Sequence, residues 1–482
     1  MKEMNVQVAV IGAGPAGLAA ALSAHEKGAS VIIVERSDKA GGILNQCIHS
    51  GFGLQIFGEE LTGPEYAERY IDRVAEAGIP VLTGAMVTDI SKDRTVTAMT
   101  EDGMLRIHAG AVVLAMGCRE RTRGAIKIPG DRPAGVFTAG LAQRYVNMEN
   151  LKPGKRVVIL GSGDIGLIMA RRLTLEGIEV AGVYELMPYP NGLYRNIINC
   201  LEDFNIPLHL STTVTRVNGR DRVESVEVAR VDEHMQPIPG TEETVPCDTL
   251  LLSVGLIPEN ELSEKAGCSL NAVTNGPVVT EDLETTTPGI FACGNVLHVH
   301  DLADNVTKEA EQAGAEAAGY AMDPDQNRHQ DSCYPVIPEK PVRYTVPAVV
   351  SINPRETVRF KFRVGSPVDH ARVRITCGDR ILYESRKPKS FIPSIMEEID
   401  IRPAQFDASA AGTADDEQPA AEAGAQPQAE NRPVITISLI PDESKDAKPA
   451  PATENAKPAS ETGNAKPAAE TVTAKPEKEA QL

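Results

Sequence analysis

Two glycine-rich runs carry the clearest chemistry in this sequence. The first is Gly12-Ala13-Gly14-Pro15-Ala16-Gly17; the second, Gly161-Ser162-Gly163-Asp164-Ile165-Gly166, starts 149 positions later. Each follows an apolar run, residues 8–11 or 157–160, and each opens a stretch that reads as a helix. In such a turn the first glycine permits the sharp exit from a strand. The second lets backbone approach a pyrophosphate, and the third lets helix pack on sheet. The helix N-terminus then offers unpaired N–H groups and a partial positive charge to phosphates. A carboxylate closes the next strand in both copies: residues 31–34 end at Glu35, followed by Arg36, and residues 183–184 lead to Glu185. A carboxylate there can accept both hydroxyls of an adenosine ribose and would repel a 2′-phosphate. The expectation is two bound dinucleotides with electrons passed between them, and NAD(H) rather than NADP(H) at the second loop.

The elements that must position these loops form a duplication, one half nested in the other. After the first strand–helix–strand unit come Gly41-Gly42, a helical stretch over 64–77, and short strands at 86–90, 96–100 and 104–108. A buried strand at 112–115 then ends at Met116-Gly117. The second half repeats this order with strands near 207–210, 213–217 and 223–231, closing on 249–255. The fold class expected is α/β: two doubly wound three-layer nucleotide-binding domains, one inserted in the other, with ligands at the carboxyl ends of the strands. The boundaries expected are 1–150 with 280–322 for the first domain and 151–279 for the inserted one. Residues 335–403, completed by 433–440, read as a small β domain. The Ala-, Gln- and Glu-rich stretch 404–432 reads as a disordered linker. Residues 441–482 read as a low-complexity tether in which Ala-Lys-Pro recurs at 447, 456, 465 and 474.

A chain of 482 residues with a net charge of −19 argues against nucleic acid and anionic membrane surfaces as partners. No run reaches a membrane-spanning length, and the N-terminus leads straight into a strand without a secretory signal. Eight cysteines are scattered with no Cys-x-x-Cys spacing, which fits reduced thiols in the cytoplasm.

Over residues 5–322 the sequence resembles the two-dinucleotide-binding flavoproteins of the glutathione-reductase superfamily. Beyond the glycine loops, the likeness rests on the Ala115-Met116-Gly117 turn, on Thr286-Thr287-Pro288-Gly289-Ile290-Phe291-Ala292-Cys293-Gly294-Asn295, and on Gly255-Leu256-Ile257-Pro258. Asn295 stands where the family usually has Asp; an amide keeps an acceptor for the ribityl chain and loses the charge. The resemblance implies FAD contacts from Gly12, Gly14, Pro15, Ala16, Gly17, Glu35, Arg36, Gly42, Val87, Ala115, Gly117, Gly294, Asn295 and Thr307. For NAD it implies Gly161, Gly163, Asp164, Ile165, Gly166, Glu185 and Gly255. Residues 115–121 and 135–140 resemble the α subunits of sarcosine oxidase, opine oxidase and dye-linked proline dehydrogenase. Residues 294–301 are similar to FAD-dependent oxidoreductases found beside anaerobic glycerol-3-phosphate dehydrogenase. These likenesses imply a subunit exchanging electrons between NAD(H), its own FAD and either a small substrate or a partner redox subunit, such as a glycerol-3-phosphate-type dehydrogenase. Homo- and hetero-oligomers stay open.

Candidates for chemistry at the flavin are Cys47, His49, His298 and His300. Cys47 falls where disulfide reductases of the family place a redox pair, but the position five before it is Gly42, so no local disulfide forms. As a lone thiolate it would support a thiol–disulfide or persulfide reductase; the preferred reading is a small residue packed near the ring. His298-x-His300 lacks an evident third ligand, so no metal is expected. Instead, the loop after Asn295 is expected beside the isoalloxazine, with a helix starting near Asp304–Thr307 aimed at the flavin pyrimidine oxygen. His298 or His300 would then donate hydrogen bonds or shuttle a proton; loop histidines that cap backbone are the alternative. Of Arg119, Arg121 and Arg123, at least two are expected to anchor the crossover between domains. A flavin-bearing interaction subunit with little turnover is the remaining functional class.

Overall fold

A computed structural model describes residues 2–324, 333–406 and 433–442. The first sheet orders its strands Val81–Leu82, Val31–Val34, Lys2–Ile11, Gly103–Leu114, Thr95–Thr100 and Met86–Ile90, with Ile290–Ala292 added beside Gly103–Leu114. The central pairs are parallel and the last two antiparallel. The strands expected separately at 104–108 and 112–115 are one twelve-residue strand, Gly103–Leu114. Nothing in His108-Ala109-Gly110-Ala111 breaks an extended chain. Gly110 is packed so closely that a Cβ would sit 2.9 Å from the Gln7 carbonyl oxygen. One half of this strand closes the small meander, while residues Leu105 to Leu114 pair with the first strand.

The second sheet is wholly parallel: Val136–Thr138, Thr249–Leu252, Arg156–Leu160, Glu179–Tyr184 and Leu208–His209. Its own antiparallel meander is Thr212–Asn218, Ser225–Arg230 and Glu243–Pro246. The expected boundaries need correction here. Val136–Thr138 pairs with the second sheet, and the helix Ala139–Asn147 buries Ala139, Ala142 and Val146 in that domain's core. Conversely, Ala266 and Cys268 already pack in the first domain's core. The crossovers are the antiparallel pair Cys118–Glu120 and Leu256–Pro258. There Arg119 pairs with Glu259 at 2.6 Å and Glu261 at 2.8 Å, and the buried Arg123 binds the carbonyls of Ile128, Pro129 and Asp131. Two of the three arginines are therefore anchors.

The C-terminal β domain is a sandwich. One sheet runs Val349–Ser351, Cys333–Pro338, Ile435–Pro441, Val368–Cys377 and Arg380–Glu384; the other is Val342–Val346, Val358–Val364 and Glu397–Ile401. Ile435–Pro441 completes the first sheet between two partners. Phe406 packs in this core, so the domain runs three residues past the expected edge. The rest of the expected linker, 407–432, and the tail from 443 onward lie outside the described residues. No helix among the described residues is long and apolar enough to cross a membrane.

Candidate functional site

The two glycine loops are built alike. Gly12 adopts φ +104°, and a Cβ there would meet the Ala115 carbonyl oxygen at 2.6 Å. The helix Pro15–Glu26 starts with proline in its first turn and no side-chain cap on Gly14, so its leading N–H groups stay free for an anion. A Cβ on Gly17 would stand 1.8 Å from the Gly12 oxygen, which forces glycine at the third position. Gly161 mirrors Gly12, with φ +96° and the Ser253 carbonyl oxygen 2.1 Å from a would-be Cβ. The helix Asp164–Leu175 has no side-chain cap from Gly163, while its third amide, Gly166, donates to the Ser253 hydroxyl at 3.1 Å. Loops that backbone alone can fill, in front of helices with free leading amides, fit two pyrophosphates.

The acidic residues do a job the sequence reading missed. Glu35 accepts from the Ala13 amide at 2.7 Å and the Ser37 amide at 2.8 Å. Glu185 accepts from the Ser162 amide at 2.9 Å, the Ser162 hydroxyl at 2.6 Å and the Met187 amide at 2.9 Å. Each carboxylate therefore fixes its own glycine loop first. With about four lone-pair sites per carboxylate, both keep acceptor capacity for a ribose. Asp164 is likewise engaged, accepting from the Leu193 amide and the Asn196 side chain.

A cleft of about 1370 Å³ opens on the second loop, where Gly161, Gly163, Asp164, Ile165, Glu185 and Gly255 line it. Its other walls bring together Cys47 and His49, Asn295 with the 298–303 loop, and Arg343, Tyr344 and Arg363 from the β domain. All four expected catalytic side chains thus border one space. Gly42 packs across the first loop, with a would-be Cβ 2.9 Å from the Gly14 Cα, and Gly294 adopts φ +72° beside Ala16. Gly117 also has a positive φ at the turn out of its strand. Val87 and Ala115 lie in the first core, while Arg36 is exposed.

Cys47 is buried, and its thiol donates to the Ile43 carbonyl at 3.3 Å with the Gln143 amide oxygen at 3.7 Å. Burial pushes the thiol up to about 12. His49 lies at 5.2 Å from the Phe52 ring; burial, then Arg195, holds it below its ordinary value. Asn295 spends its side chain internally, accepting from the His300 amide at 3.0 Å and reaching the Cys118 sulfur at 3.5 Å. The helix after this loop is Ala303–Met322, close to the expected start. Two side chains in its first turns face the fold. Asp304 accepts from the amides of Gly53, Gln55 and Ile56, and the Thr307 hydroxyl sits 2.7 Å from the Tyr66 hydroxyl. Thr307 is wholly buried, so its hydroxyl is not available to a cofactor.

The histidines meet a residue that sequence reasoning passed over. Glu309, nearly fully buried, accepts from His298 Nε2 at 2.8 Å, His300 Nε2 at 3.0 Å, the Gly294 amide at 2.7 Å and Lys361 Nζ at 2.6 Å. Burial alone would raise its carboxyl; Lys361, then His300 and His298, outweigh that and hold it well below the usual range. The third ligand-type group that was not evident beside the two histidines in the sequence is Glu309, the three lying within 4.8 Å of one another. On its carboxylate the Lys361 ammonium already occupies a cation's place. Lys361 and Arg363 come from the strand Val358–Val364, whose Phe360 and Phe362 fill the sandwich core. That strict alternation was the available signal: two cations on the opposite face need an acidic cover. Arg363 finds it in Asp301 and also donates to the Val299 carbonyl.

Residues 6–317 match the model of the pyridine nucleotide-disulphide oxidoreductase family. The chain is 26% identical over 301 residues to the hydrogen cyanide synthase protein HcnB of Pseudomonas protegens, covering 57% of this chain and 61% of that one. It is 27% identical over 310 residues to an opine oxidase subunit of Agrobacterium tumefaciens, covering 59% and 60%. The similarity therefore spans about three fifths of these relatives' length. Among solved structures, T. acidophilum thioredoxin reductase superposes with a TM-score of 0.54 at 22% identity, over 66% of this chain and 99% of that one, which shows the shared fold.

Proposed function

The chain belongs to the pyridine nucleotide-disulphide oxidoreductase family, and from that premise we propose an NADH-linked FAD oxidoreductase that exchanges electrons with a small substrate or a partner redox subunit. The observation that carries this reading is the matched pair of glycine loops, each locked by its own buried glutamate, Glu35 or Glu185. FAD would be held by the first loop with Gly42, Gly294 and Asn295, and the pyridine nucleotide by the second with Glu185. Bound FAD supplies the capacity to take a hydride from a nicotinamide and release electrons elsewhere. The chain's own residues orient both dinucleotides. Glu185, committed to three donors on its own chain, presents a fixed negative charge where NADPH would place its 2′-phosphate, which favours NADH.

Both HcnB and the opine oxidase relative are named as subunits of larger enzymes, which supports a partner chain. A glycerol-3-phosphate-type dehydrogenase is the partner to test first, on the likeness of residues 294–301. The thiol-reductase reading needs a Cys47 thiolate. Burial opposes it, and the sulfur faces two oxygen acceptors rather than a cation. Anaerobic rapid mixing of the purified flavoprotein with NADH or NADPH tests the proposal: fast bleaching by NADH supports it, and FAD that stays oxidised with both sinks it.

A further inference from the structure

The β domain plays no part in the function proposed so far, yet it supplies the only ammonium in the buried Glu309 cluster among the described residues. Hydrogen bonding there fixes where the protons sit. Glu309 is ionised and can only accept, so each Nε2 atom facing it must carry a hydrogen. In an uncharged imidazole the other nitrogen is then bare. The Nδ1 atoms of His298 and His300 are both buried, and neither has a hydrogen-bond partner among the described residues. Their rings lie 4.3 Å apart, and both residues border the cleft. Buried polar atoms are rarely left unpaired, and each exception calls for an explanation, such as strain, a catalytic role or a bound water or ion. Lys361 decides the charge of the set. With Lys361 present, one cation and one carboxylate balance, and the imidazoles need carry no charge; without it, the buried carboxylate would be neutralised by protonating one of them.

We propose that Lys361 is a positioning residue of the oxidoreductase: acting through Glu309, which also holds the Gly294 amide beside the first glycine loop, it fixes the buried rings of His298 and His300 as uncharged Nε2–H tautomers behind the loop that walls the cleft. This rests on the FAD/NADH reading above. The charged and titratable groups facing the pair are Glu309, Lys361 and the Tyr344 ring, with Cys293 and the Asp301–Arg363 pair alongside.

The test uses the flavin-loaded protein labelled with 15N-histidine, its signals assigned by single histidine substitutions and followed against pH, with flavin reduction by NADH measured in parallel. In the unmutated protein both histidines should show protonated Nε2 and bare Nδ1 at neutral pH. In Lys361→Met at least one should become an imidazolium at neutral pH. Lys361→Arg should restore the uncharged tautomers. Glu309→Gln gives an independent check, because an amide N–H that donates forces one imidazole to reverse its tautomer. Nδ1–H tautomers in the unmutated protein would overturn the proposal without any variant. So would a folded, flavin-loaded Lys361→Met in which both histidines stay uncharged Nε2–H tautomers. If NADH fails to reduce the flavin, the functional reading falls, while the nitrogen spectra still decide the charge lock.

Discussion

Glu185→Gln is the substitution that tests the nucleotide assignment most directly. The carboxylate accepts from the Ser162 amide, the Ser162 hydroxyl and the Met187 amide. Glutamine keeps one oxygen for Ser162, but its NH2 cannot accept from Met187, so one backbone donor is lost. Hydrogen bonds to a charged group contribute about 1.5–3 kcal/mol. Losing the carboxylate's bond to a ribose hydroxyl should therefore weaken NADH roughly tenfold to a hundredfold. NADPH should gain. At about 6 Å and an effective dielectric of about 20, two unit charges repel by about 3 kcal/mol, and the substitution removes that repulsion. The ratio of affinities should move toward NADPH by at least about a hundredfold. Saturation curves of flavin bleaching in anaerobic stopped flow give both constants, and flavin absorbance gives cofactor content. Equal weakening of the two nucleotides at full flavin content would show that Glu185 only shapes its loop, and the assignment of NADH would fall with it.

The buried His298–Glu309 pair makes the fold acid-sensitive. Burial pushes His298 down from 6.5 to about 4, so the unfolded chain binds a proton that the native one refuses; stability falls as pH drops from about 6.5 through about 4, by about 3 kcal/mol. Glu309 acts in the same direction further down, its stabilisation being present above the ordinary carboxyl value and lost as pH falls through its depressed one. Urea midpoints that stay flat across that window would refute this. Gly17→Ala places a Cβ 1.8 Å from the Gly12 oxygen and should abolish FAD retention, read from flavin absorbance of the purified protein; a variant that keeps its flavin would refute the loop assignment. Cys47→Ser should leave flavin reduction by NADH and reoxidation within about twofold, because a buried thiol with a raised pKa supplies no thiolate; a loss near a hundredfold would reinstate thiol chemistry.

Local patterns carried much of the fold. The glycine loops, the buried strands feeding them and the closing carboxylates were legible because each is set within about thirty residues by backbone sterics and apolar periodicity. The boundaries were not. Val136–Thr138 is a three-residue strand whose identity comes only from pairing with Leu250–Leu252, more than a hundred positions away. The merged strand Gly103–Leu114 was missed for the opposite reason: a small-residue stretch looked like a break, although small side chains are what lets the helix Ala303–Met322 pack against it. Within the site, residues 47, 49, 298 and 300 were singled out by type, but their partners were not legible. Asp304, Glu309 and Thr307 lie on one helix, and its sequence does not say which acids turn inward; their contacts at Gly53, Gly294 and Tyr66 settle that.

Lys361 shows how far alternation alone can be pushed. Phe-Lys-Phe-Arg-Val places Phe360 and Phe362 in the sandwich core and turns Lys361 and Arg363 the other way. A free sandwich would leave those two cations in water at no cost. In this chain Lys361 is only 7% exposed and Arg363 is bound to Asp301. Burying a lysine is expensive unless a carboxylate meets it, and breaking such a pair leaves the remaining charge uncompensated. The β domain and the 295–309 segment therefore depend on each other electrostatically. Removing the domain would strand Glu309 between two imidazoles with its ammonium gone, so the appendage is part of the site's charge balance rather than a passenger on it.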